Sequence, residues 1–501
     1  MDEAERMRSE NRRFVFLLVC WWVACFATVA KAAEFLVISD IHFDPFTTLT
    51  QPTFKVLADA PASRWPELLK TYNQTLGATG NDSNYLLMVS AISAAKAHTP
   101  KPLFILYPGD FLAHQWQERY EKVAGKSIAD DPAAYRQFTM RAIEVVTNEI
   151  RKQFPDVPVL ATLGNDDSFC GDYWIQPDGM FLHQFADHWQ PMLGSTIDAD
   201  AFGQSFRSLG AYRAELPGLA ADRLLVLNSV YWSGSYCSSY FDPKDQNCCQ
   251  CHNPGTKPGH ALMDWLTSEL ELARKQQKRV WFLMHVPPGL DSYIEEKDSG
   301  HSLAAEMWQP EFMQRYLKLI DEYRDVLHIS FTGHTHMDDF RIDRLDGKPV
   351  LLHKIAPAVS PIFGNNPGFQ TFQIDPQTSV ISNWKTYSLN LADQQKYKLW
   401  KLEYEARTTY QLESLNAQSA EQLFRFMHAH PDSTFASAFR QHYNMGASVI
   451  SPKDLSVYLC TILNATYPLF ATCLQNHGLA QPKLAEEPAQ VRRHAGGMIA
   501  K

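Results

Sequence analysis

The sequence predicts an α/β domain followed by a smaller helical region. Short apolar runs rich in β-branched and aromatic residues recur between residues 35 and 390, and longer stretches with helical patterns separate them. Buried strands that alternate with helices are typical of α/β domains. From residue 391, apolar residues recur three and four apart, which predicts about four helices. We therefore expect four segments: a signal peptide at 1–32, the α/β domain at 33–390, a helical subdomain at 391–480 and a flexible tail at 481–501.

The first 32 residues have the pattern of a secretory signal peptide. A charge-free apolar run, residues 14–30, follows Arg12 and Arg13 and ends in small residues. This order is typical of a cleaved export signal. An uncleaved membrane anchor is the alternative, although the run is short for a spanning helix of about 20 residues. We expect the rest of the chain to be secreted or to lie in another extracytoplasmic compartment.

The net charge and the cysteines indicate which partners and which covalent links to expect. A formal net charge of -9 gives no basic footprint, so we expect no nucleic acid duplex as partner. Seven cysteines follow the signal segment, and cysteines of exported proteins usually pair. We expect Cys460 to pair with Cys473 and residues 237–251 to form a disulfide-stapled loop; a zinc knot there is the alternative. Glycosylation acceptors, if the host glycosylates, are Asn73, Asn81 and Asn464.

Seven apolar runs predict the main strands, and five of them end directly before oxygen or imidazole donors. The runs begin at Phe35, Leu103, Val157, Arg223, Val280, Leu327 and Pro349. The donors that follow are Asp40, His42, Asp110, Asn165, His285, His334 and His336. Open α/β sheets place their ligand sites beyond the carboxyl ends of their strands. We therefore expect these side chains to meet in one metal site.

The residue types and their spacing suit a pair of divalent ions. Aspartate, asparagine and histidine together favour zinc, manganese or iron over calcium, which prefers oxygen ligands alone. In the D-x-H motif at Asp40 and the H-x-H motif at His334, residues i and i+2 of an extended segment project to the same side. Glycines 109, 164 and 333 precede donors, where we expect sharp turns with no room for a side chain.

The ordered set D-x-H, G-D, G-N, a later strand-end histidine and G-H-x-H resembles the calcineurin-like metallophosphoesterases. The stretches "GDFLAH", "MHVPPG" and residues 356–375, with the trailing helices, resemble in particular the acid sphingomyelinase-like phosphodiesterases. The resemblance implies a four-layer α/β/β/α sandwich and two metal ions, for which we expect zinc. One ion would be bound by Asp40, His42 and His336, the other by Asn165, His285 and His334. Asp110 would bridge them.

Two features depart from the family's pattern. Most relatives have a histidine after the G-N motif, and here the residue is Asp166, which leaves the general acid open. His114, four residues after Asp110, is our catalytic candidate; an indirect role in orienting a metal ligand is the alternative. Sphingomyelinases proper also carry a saposin-like domain before the catalytic core, and we expect no lipid-extracting module here.

The resemblance implies an exported metal-dependent phosphodiesterase or phosphatase in which a metal-bridging hydroxide attacks phosphorus. We expect a small, soluble phosphoester substrate, with nucleotides first. Sphingomyelin, with the C-terminal helices contacting a membrane surface, and polyphosphate are alternatives within the same chemistry. A catalytically inactive binding protein and a zinc module centred on Cys248, Cys249 and Cys251 are alternatives from other classes. The sequence does not predict the oligomeric state.

Overall fold

The structure is a computed structural model that describes residues 32–238, 249–291, 303–393, 399–479 and 483–484. Nearly all of the predicted signal peptide and of the predicted tail lie outside these residues. Within the described ranges, no helix combines the length and apolarity needed to cross a membrane.

Two six-stranded sheets form the centre of the molecule. The strands, in chain order, are β1 (Ala33–Val37), β2 (Ile105–Tyr107), β3 (Val159–Ala161), β4 (Tyr212–Glu215), β5 (Asp222–Leu227), β6 (Arg279–Met284), β7 (Leu303–Ala304), β8 (Leu327–Thr332), β9 (Asp339–Leu345), β10 (Lys348–Ile355), β11 (Gly368–Ile374), β12 (Ile381–Ser388), β13 (Lys401–Glu405) and β14 (Lys483–Leu484). The first sheet has the order β13-β12-β11-β1-β2-β3, and the second has the order β4-β5-β6-β8-β10-β9. All seven predicted runs contain a strand.

Parallel strands form one half of the first sheet and the middle of the second. β1, β2 and β3 run parallel in the first sheet, and β5, β6, β8 and β10 run parallel in the second. The remaining neighbours in these two sheets, including β11 beside β1, pair antiparallel, and β7 pairs parallel with β14 in a separate two-stranded sheet. The carboxyl ends of β1, β2 and β3 therefore lie at one edge of the first sheet, and those of β6 and β8 lie at one edge of the second.

The two sheets pack face to face through buried aromatic side chains. Phe35 of β1 lies edge-on to Trp281 of β6 and Phe331 of β8, with ring centroids 5.7 and 5.6 Å apart. Phe372 of β11 also packs edge-on against Phe331, at 5.1 Å. All four rings are fully buried, so apolar burial joins the sheets, and each aromatic pair adds about 0.5–1.5 kcal/mol.

Helices cover the outer faces of both sheets. They are α1 (Gln51–Asp59), α2 (Trp65–Tyr72), α3 (Tyr85–His98), α4 (Trp116–Ala124), α5 (Pro132–Gln153), α6 (Met180–Leu193), α7 (Ala199–Leu209), α8 (Lys257–Lys275), α9 (Pro310–Glu322), α10 (Ala406–Tyr410), α11 (Ala417–Ala429), α12 (Thr434–His442), α13 (Leu455–Leu463) and α14 (Tyr467–Asn476). α3 and α6 contact the first sheet, and α8 and α9 contact the second. The predicted order of helix, sheet, sheet and helix layers is confirmed.

The C-terminal region differs in part from the prediction. We predicted helix from residue 391, but Lys401–Glu405 is strand β13, which pairs with β12 at the edge of the first sheet. Its partner strand β12 precedes it by only a short stretch of chain. The buried Tyr404 hydroxyl also donates to Asp338 at 2.8 Å. Tertiary pairing therefore overrides the local helical spacing. Five helices, α10 to α14, follow where about four were predicted, and α11 and α13 pack on the edge of the second sheet. The domain boundary at 390 stays a prediction.

Two disulfides are present among the described residues. Cys460 pairs with Cys473, as predicted. Cys251 pairs with Cys170 and not within the 237–251 loop, so a zinc knot that uses Cys251 as a thiolate ligand is wrong. Cys248 lies outside the described residues. Both disulfides suit an oxidising compartment outside the cytosol.

The three predicted glycosylation acceptors differ in their exposure. Asn81 is exposed, Asn464 is partly buried and Asn73 is buried. A glycan therefore fits the folded chain best at Asn81.

Candidate metal centre

The seven side chains that follow the strand ends converge in one buried cluster. Each is at most 5% exposed, although the chain positions extend from Asp40 to His336. The parallel strands help bring them together, because strands that run parallel in one sheet end at the same edge. The cluster divides into two donor groups that share one carboxylate.

The first donor group contains Asp40, His42 and His336. The Nε2 atoms of His42 and His336 lie 3.1 Å apart, and Nε2 of His336 lies 3.6 Å from Oδ1 of Asp40. Nε2 of His42 also lies 3.2 Å from Oδ2 of Asp110.

The second donor group contains Asn165, His285 and His334. Nε2 of His285 lies 3.0 Å from Oδ1 of Asn165 and 3.1 Å from Nδ1 of His334. The same Nε2 atom lies 3.0 Å from Oδ2 of Asp110. One carboxylate oxygen of Asp110 thus contacts both donor groups.

Hydrogen bonds from the chain fix the orientation of two histidine rings. The Nδ1–H of His42 donates to the carbonyl of Leu112, and that of His285 donates to the carbonyl of Pro108, each at 2.8 Å. These bonds assign the tautomer and turn each Nε2 toward Asp110.

The donor atoms of the cluster lie so close together that a positive charge is needed between them. In the neutral rings, the Nε2 lone pairs of His42 and His285 face carboxylate and amide oxygens, and such lone pairs repel each other. Burial alone would lower the pKa of His42, yet the Asp110 carboxylate raises it to about 9. A divalent ion between these atoms would replace the proton, so the residues fit the metal pair implied by the family resemblance.

The backbone at the cluster adopts an unusual conformation. Asp40, His42, Asp110, His334 and His336 have φ of 48, 43, 60, 73 and 66°. Left-handed backbone is uncommon outside glycine, costs on the order of 1–3 kcal/mol per residue and concentrates at functional sites. This corrects our geometric argument for the D-x-H and H-x-H motifs: their side chains converge because the chain turns at each donor, and not because the segments are extended.

Asp167 holds the loops that carry Asp110 and Asn165, and sequence reasoning assigned it no role. Its carboxylate accepts the backbone N–H groups of Asp110, Phe111 and Gly164 at 2.9, 2.8 and 2.8 Å. Burial and the nearby Asp110 raise the pKa of Asp167 to about 6. The predicted lack of room at glycine is confirmed, because a Cβ at Gly164 would collide with the Asp110 carboxylate.

His114 lies at the border of the cluster and is held by Asp82. Its ring stacks on His42 with centroids 4.0 Å apart, and its side chain is 22% exposed. Oδ1 of Asp82 accepts from Nδ1 of His114, and Oδ2 of Asp82 accepts its backbone N–H, each at 3.0 Å. Burial and His42 lower the pKa of His114, whereas Asp82 opposes this. Sequence reasoning missed Asp82, which appeared only inside the acceptor tripeptide that begins at Asn81.

Asp166 is buried close to His114. Its Oδ2 lies 3.9 Å from Nε2 of His114 and accepts from Nδ2 of Asn165 at 3.1 Å. Burial, then the neighbouring carboxylates of Asp172 and Asp110, raises the pKa of Asp166 well above its usual range. The departure from the family's G-N-H pattern therefore places a carboxyl group beside the candidate acid.

Comparison with known proteins identifies relatives along most of the chain. Residues 348–480 match the family model of the acid sphingomyelin phosphodiesterase C-terminal region. A Mus musculus protein named acid sphingomyelinase-like phosphodiesterase 3b is 27% identical over 487 residues, which cover 93% of this chain and 94% of that protein. The chain is a homologue of the acid sphingomyelinase-like phosphodiesterases.

Further relatives carry related names. The Bos taurus cyclic GMP-AMP phosphodiesterase SMPDL3A is 25% identical, with 90% of this chain and 92% of that protein covered. The Homo sapiens sphingomyelin phosphodiesterase is 29% identical, but only 55% of this chain and 41% of that protein are covered. Among solved structures, a dimetal phosphatase from Danio rerio is 11% identical with a TM-score of 0.37, over 74% of this chain and 98% of that one.

These homologues bear out the predicted resemblance to the acid sphingomyelinase-like phosphodiesterases and the predicted phosphodiesterase class. Among the described residues, three sets of side chains at the cluster could each hold an ion. Two of them agree with two metal ions: Asp40, His42 and Asp110, and Asp110, His285 and His334; the third is His42, His114 and His336. The identity of the metal and the roles of individual ligands stay predictions.

Proposed function

We propose that this chain is an exported zinc-dependent phosphodiesterase that hydrolyses soluble, nucleotide-type phosphodiesters. The position of Asp110 carries the proposal, because its Oδ2 lies 3.2 Å from Nε2 of His42 and 3.0 Å from Nε2 of His285. A carboxylate oxygen within reach of both donor groups would suit a ligand shared by a pair of ions. A bound pair of divalent ions would neutralise phosphate charge and supply a water nucleophile of low pKa.

The seven donors would hold the pair as the family resemblance implies. Asp40, His42 and His336 belong to one ion, Asn165, His285 and His334 belong to the other, and Asp110 belongs to both. Strained backbone, buried rings and carbonyl hydrogen bonds keep the donors in place before anything binds, so little reorganisation is needed.

His114 would protonate the leaving oxygen. Asp82 binds its Nδ1–H and so presents Nε2 toward the cluster, and the charge of Asp82 compensates the imidazolium. The ring is also more exposed than any of the seven donors, which gives a substrate access to it. A histidine whose only role was to orient His42 would not need to be accessible to substrate.

One relative with a nucleotide substrate in its name supports a soluble substrate. The protein named cyclic GMP-AMP phosphodiesterase aligns with 90% of this chain, against 78% for a Dictyostelium discoideum protein named sphingomyelinase phosphodiesterase C and 55% for the one named sphingomyelin phosphodiesterase. On this basis we propose nucleotide-type diesters as the substrate class. We do not propose a particular nucleotide.

Metal analysis and a paired assay test the proposal. We expect two zinc ions per chain and faster hydrolysis of bis-p-nitrophenyl phosphate than of p-nitrophenyl phosphate. Asp110→Asn should lose metal and at least about 10³-fold in activity, because the metal pair supplies several kcal/mol to the transition state. Asp178→Asn is the matched control, since Asp178 is exposed and also has a left-handed φ of 52°. Undiminished activity of the Asp110 variant would refute the assignment.

An assay with sphingomyelin vesicles distinguishes a soluble substrate from a lipid substrate. Purified protein is given a dinucleoside monophosphate or sphingomyelin vesicles, without detergent or carrier protein. We expect faster turnover of the dinucleotide, and faster turnover of the vesicles would overturn the substrate class while leaving the hydrolytic chemistry intact.

A further inference from the structure

A partly exposed aromatic side chain borders the first donor group on the side of His114. The ring centroid of Phe363 lies 4.6 Å from that of His336 and 5.5 Å from that of His114. The ring planes are steeply inclined, at 73 and 89°. Phe363 and its neighbour Ile362 are both partly exposed, whereas the donors beside them are buried.

The turn that presents Phe363 is fixed to the cluster. The N–H of Gly364 donates to the carbonyl of Pro361 at 3.3 Å, which closes the turn. The N–H of Ser360 donates to the carbonyl of Asp40 at 3.0 Å, so one end of the turn is attached directly to the first donor group.

Side chains secure the same turn on both flanks. The hydroxyl of Ser360 donates to Oδ1 of Asp82 at 3.0 Å, and that carboxylate also holds His114. The fully buried Asn365 donates to the carbonyl of Ser360 at 3.0 Å. Phe363 is therefore a preorganised wall whose position is coupled to that of the candidate acid, which reduces the entropy cost of using it for binding.

The chemistry of this wall favours a flat, aromatic group. Nucleobases stack on aromatic side chains with little dependence on sequence, because every base has a π-face. A saturated chain would gain only from the small apolar area of Phe363 and Ile362. The group that contacts this wall is the one next to His114, which is the leaving group in the proposed reaction.

We propose that Phe363, with Ile362, forms a leaving-group subsite that binds a planar aromatic group such as the base of the departing nucleoside. This inference deepens the proposed function and rests on it, because the position of His114 defines which side the leaving group occupies.

Three substrates with the same scissile bond test the subsite. They are a dinucleoside monophosphate and its two counterparts in which one base or the other is replaced by hydrogen. The leaving oxygen is the same kind of alkoxide in each, so only stacking differs. We expect wild-type kcat/KM to fall roughly 5- to 100-fold on the counterpart that lacks the base of the leaving nucleoside.

Phe363→Ala should abolish this preference, so that kcat/KM falls more on the dinucleotide than on that base-lacking counterpart. Phe363→Trp should keep the preference, and Phe426→Ala, at a 44% exposed phenylalanine of α11, serves as the control for truncation at the surface. Binding of the free nucleoside at equilibrium should weaken in Phe363→Ala by the same factor.

Two results would overturn the subsite. Equal preference for the base in wild type and Phe363→Ala would show that the ring does not contact it, and an equal loss on all three substrates would show a structural role. A different result would refute the proposed function itself. In that case wild-type protein would hydrolyse neither the dinucleotides nor bis-p-nitrophenyl phosphate, and the subsite proposal would be refuted as well.

Discussion

The two donor groups are built from similar residue types but have different surroundings. His42 and His336 are bordered by His114 and Phe363, both of which are partly exposed. In the second group, the Tyr173 hydroxyl lies 3.2 Å from Nε2 of His334, and Oδ1 of Asp172 accepts from Nδ2 of Asn165 at 2.7 Å. Partly exposed rings thus border the first group, whereas side-chain hydrogen bonds from Tyr173 and Asp172 lie behind ligands of the second.

One histidine of the first group, His336, differs from the other three histidine donors. His42, His285 and His334 each have a hydrogen bond at the nitrogen that faces away from the cluster, to Leu112, Pro108 and Tyr173. In the part of the chain that the structure describes, Nδ1 of His336 is buried with no such bond. Because outer hydrogen bonds raise metal affinity about 10- to 100-fold, we expect the first group to bind its ion more weakly.

The largest expected effect comes from removing one ring from either group. His336→Ala and His285→Ala should each lower bound metal and reduce diesterase activity by at least about 10³-fold, since both ions act on one phosphate. Metal content and initial rates on bis-p-nitrophenyl phosphate measure this. His353→Ala is the matched control, because His353 is a fully buried histidine of β10 that binds Asp343 away from the cluster.

Loss of His114 should affect only substrates that need an acid. His114→Ala should slow a dialkyl or dinucleoside diester about 10²- to 10⁴-fold, whereas p-nitrophenolate leaves without help and its diesters should react at nearly the normal rate. Comparing kcat on both substrate types measures the difference. An equal loss on both would contradict the assignment and favour an orienting role behind His42.

Asp82→Asn should have the same leaving-group dependence on a smaller scale. Asparagine can still hold the ring but cannot compensate an imidazolium, so we expect a loss of roughly 10- to 100-fold on dinucleotides, with the bound metal unchanged. Asp82→Glu should recover part of the rate. Loss of metal in the asparagine variant would show that Asp82 acts on the donor groups instead.

The smallest expected effect concerns the order in which the ions leave. Titration with a chelator should remove them in two steps, the first at roughly tenfold lower chelator concentration. Tyr173→Phe should shift the second step toward the first, because it removes the hydrogen bond at His334. A single step that Tyr173→Phe does not alter would contradict the difference between the two groups.

The main strands and the donors at their ends could be predicted because both signals are local. An apolar run that ends in aspartate or histidine is visible in the sequence, and the parallel arrangement brings such ends together. The reason for convergence within the D-x-H motif was wrong, since left-handed backbone at Asp40 and His42 depends on surrounding contacts that spacing does not contain.

The residues that were missed act through tertiary contacts. Asp82 and Asp167 are single carboxylates in loops, and their roles arise only when distant backbone amides and His114 reach them. Strand β13 needs its partner β12, and the bond between Cys170 and Cys251 spans 81 residues. No local pattern encodes these partners.

Anomalous diffraction at the zinc edge from metal-loaded crystals tests the central claim most directly. We expect two peaks, one bounded by Asp40, His42 and His336 and the other by Asn165, His285 and His334, about 3.5–4 Å apart and both within reach of Asp110. A single peak, or zinc bound elsewhere in the chain, would contradict the dinuclear account.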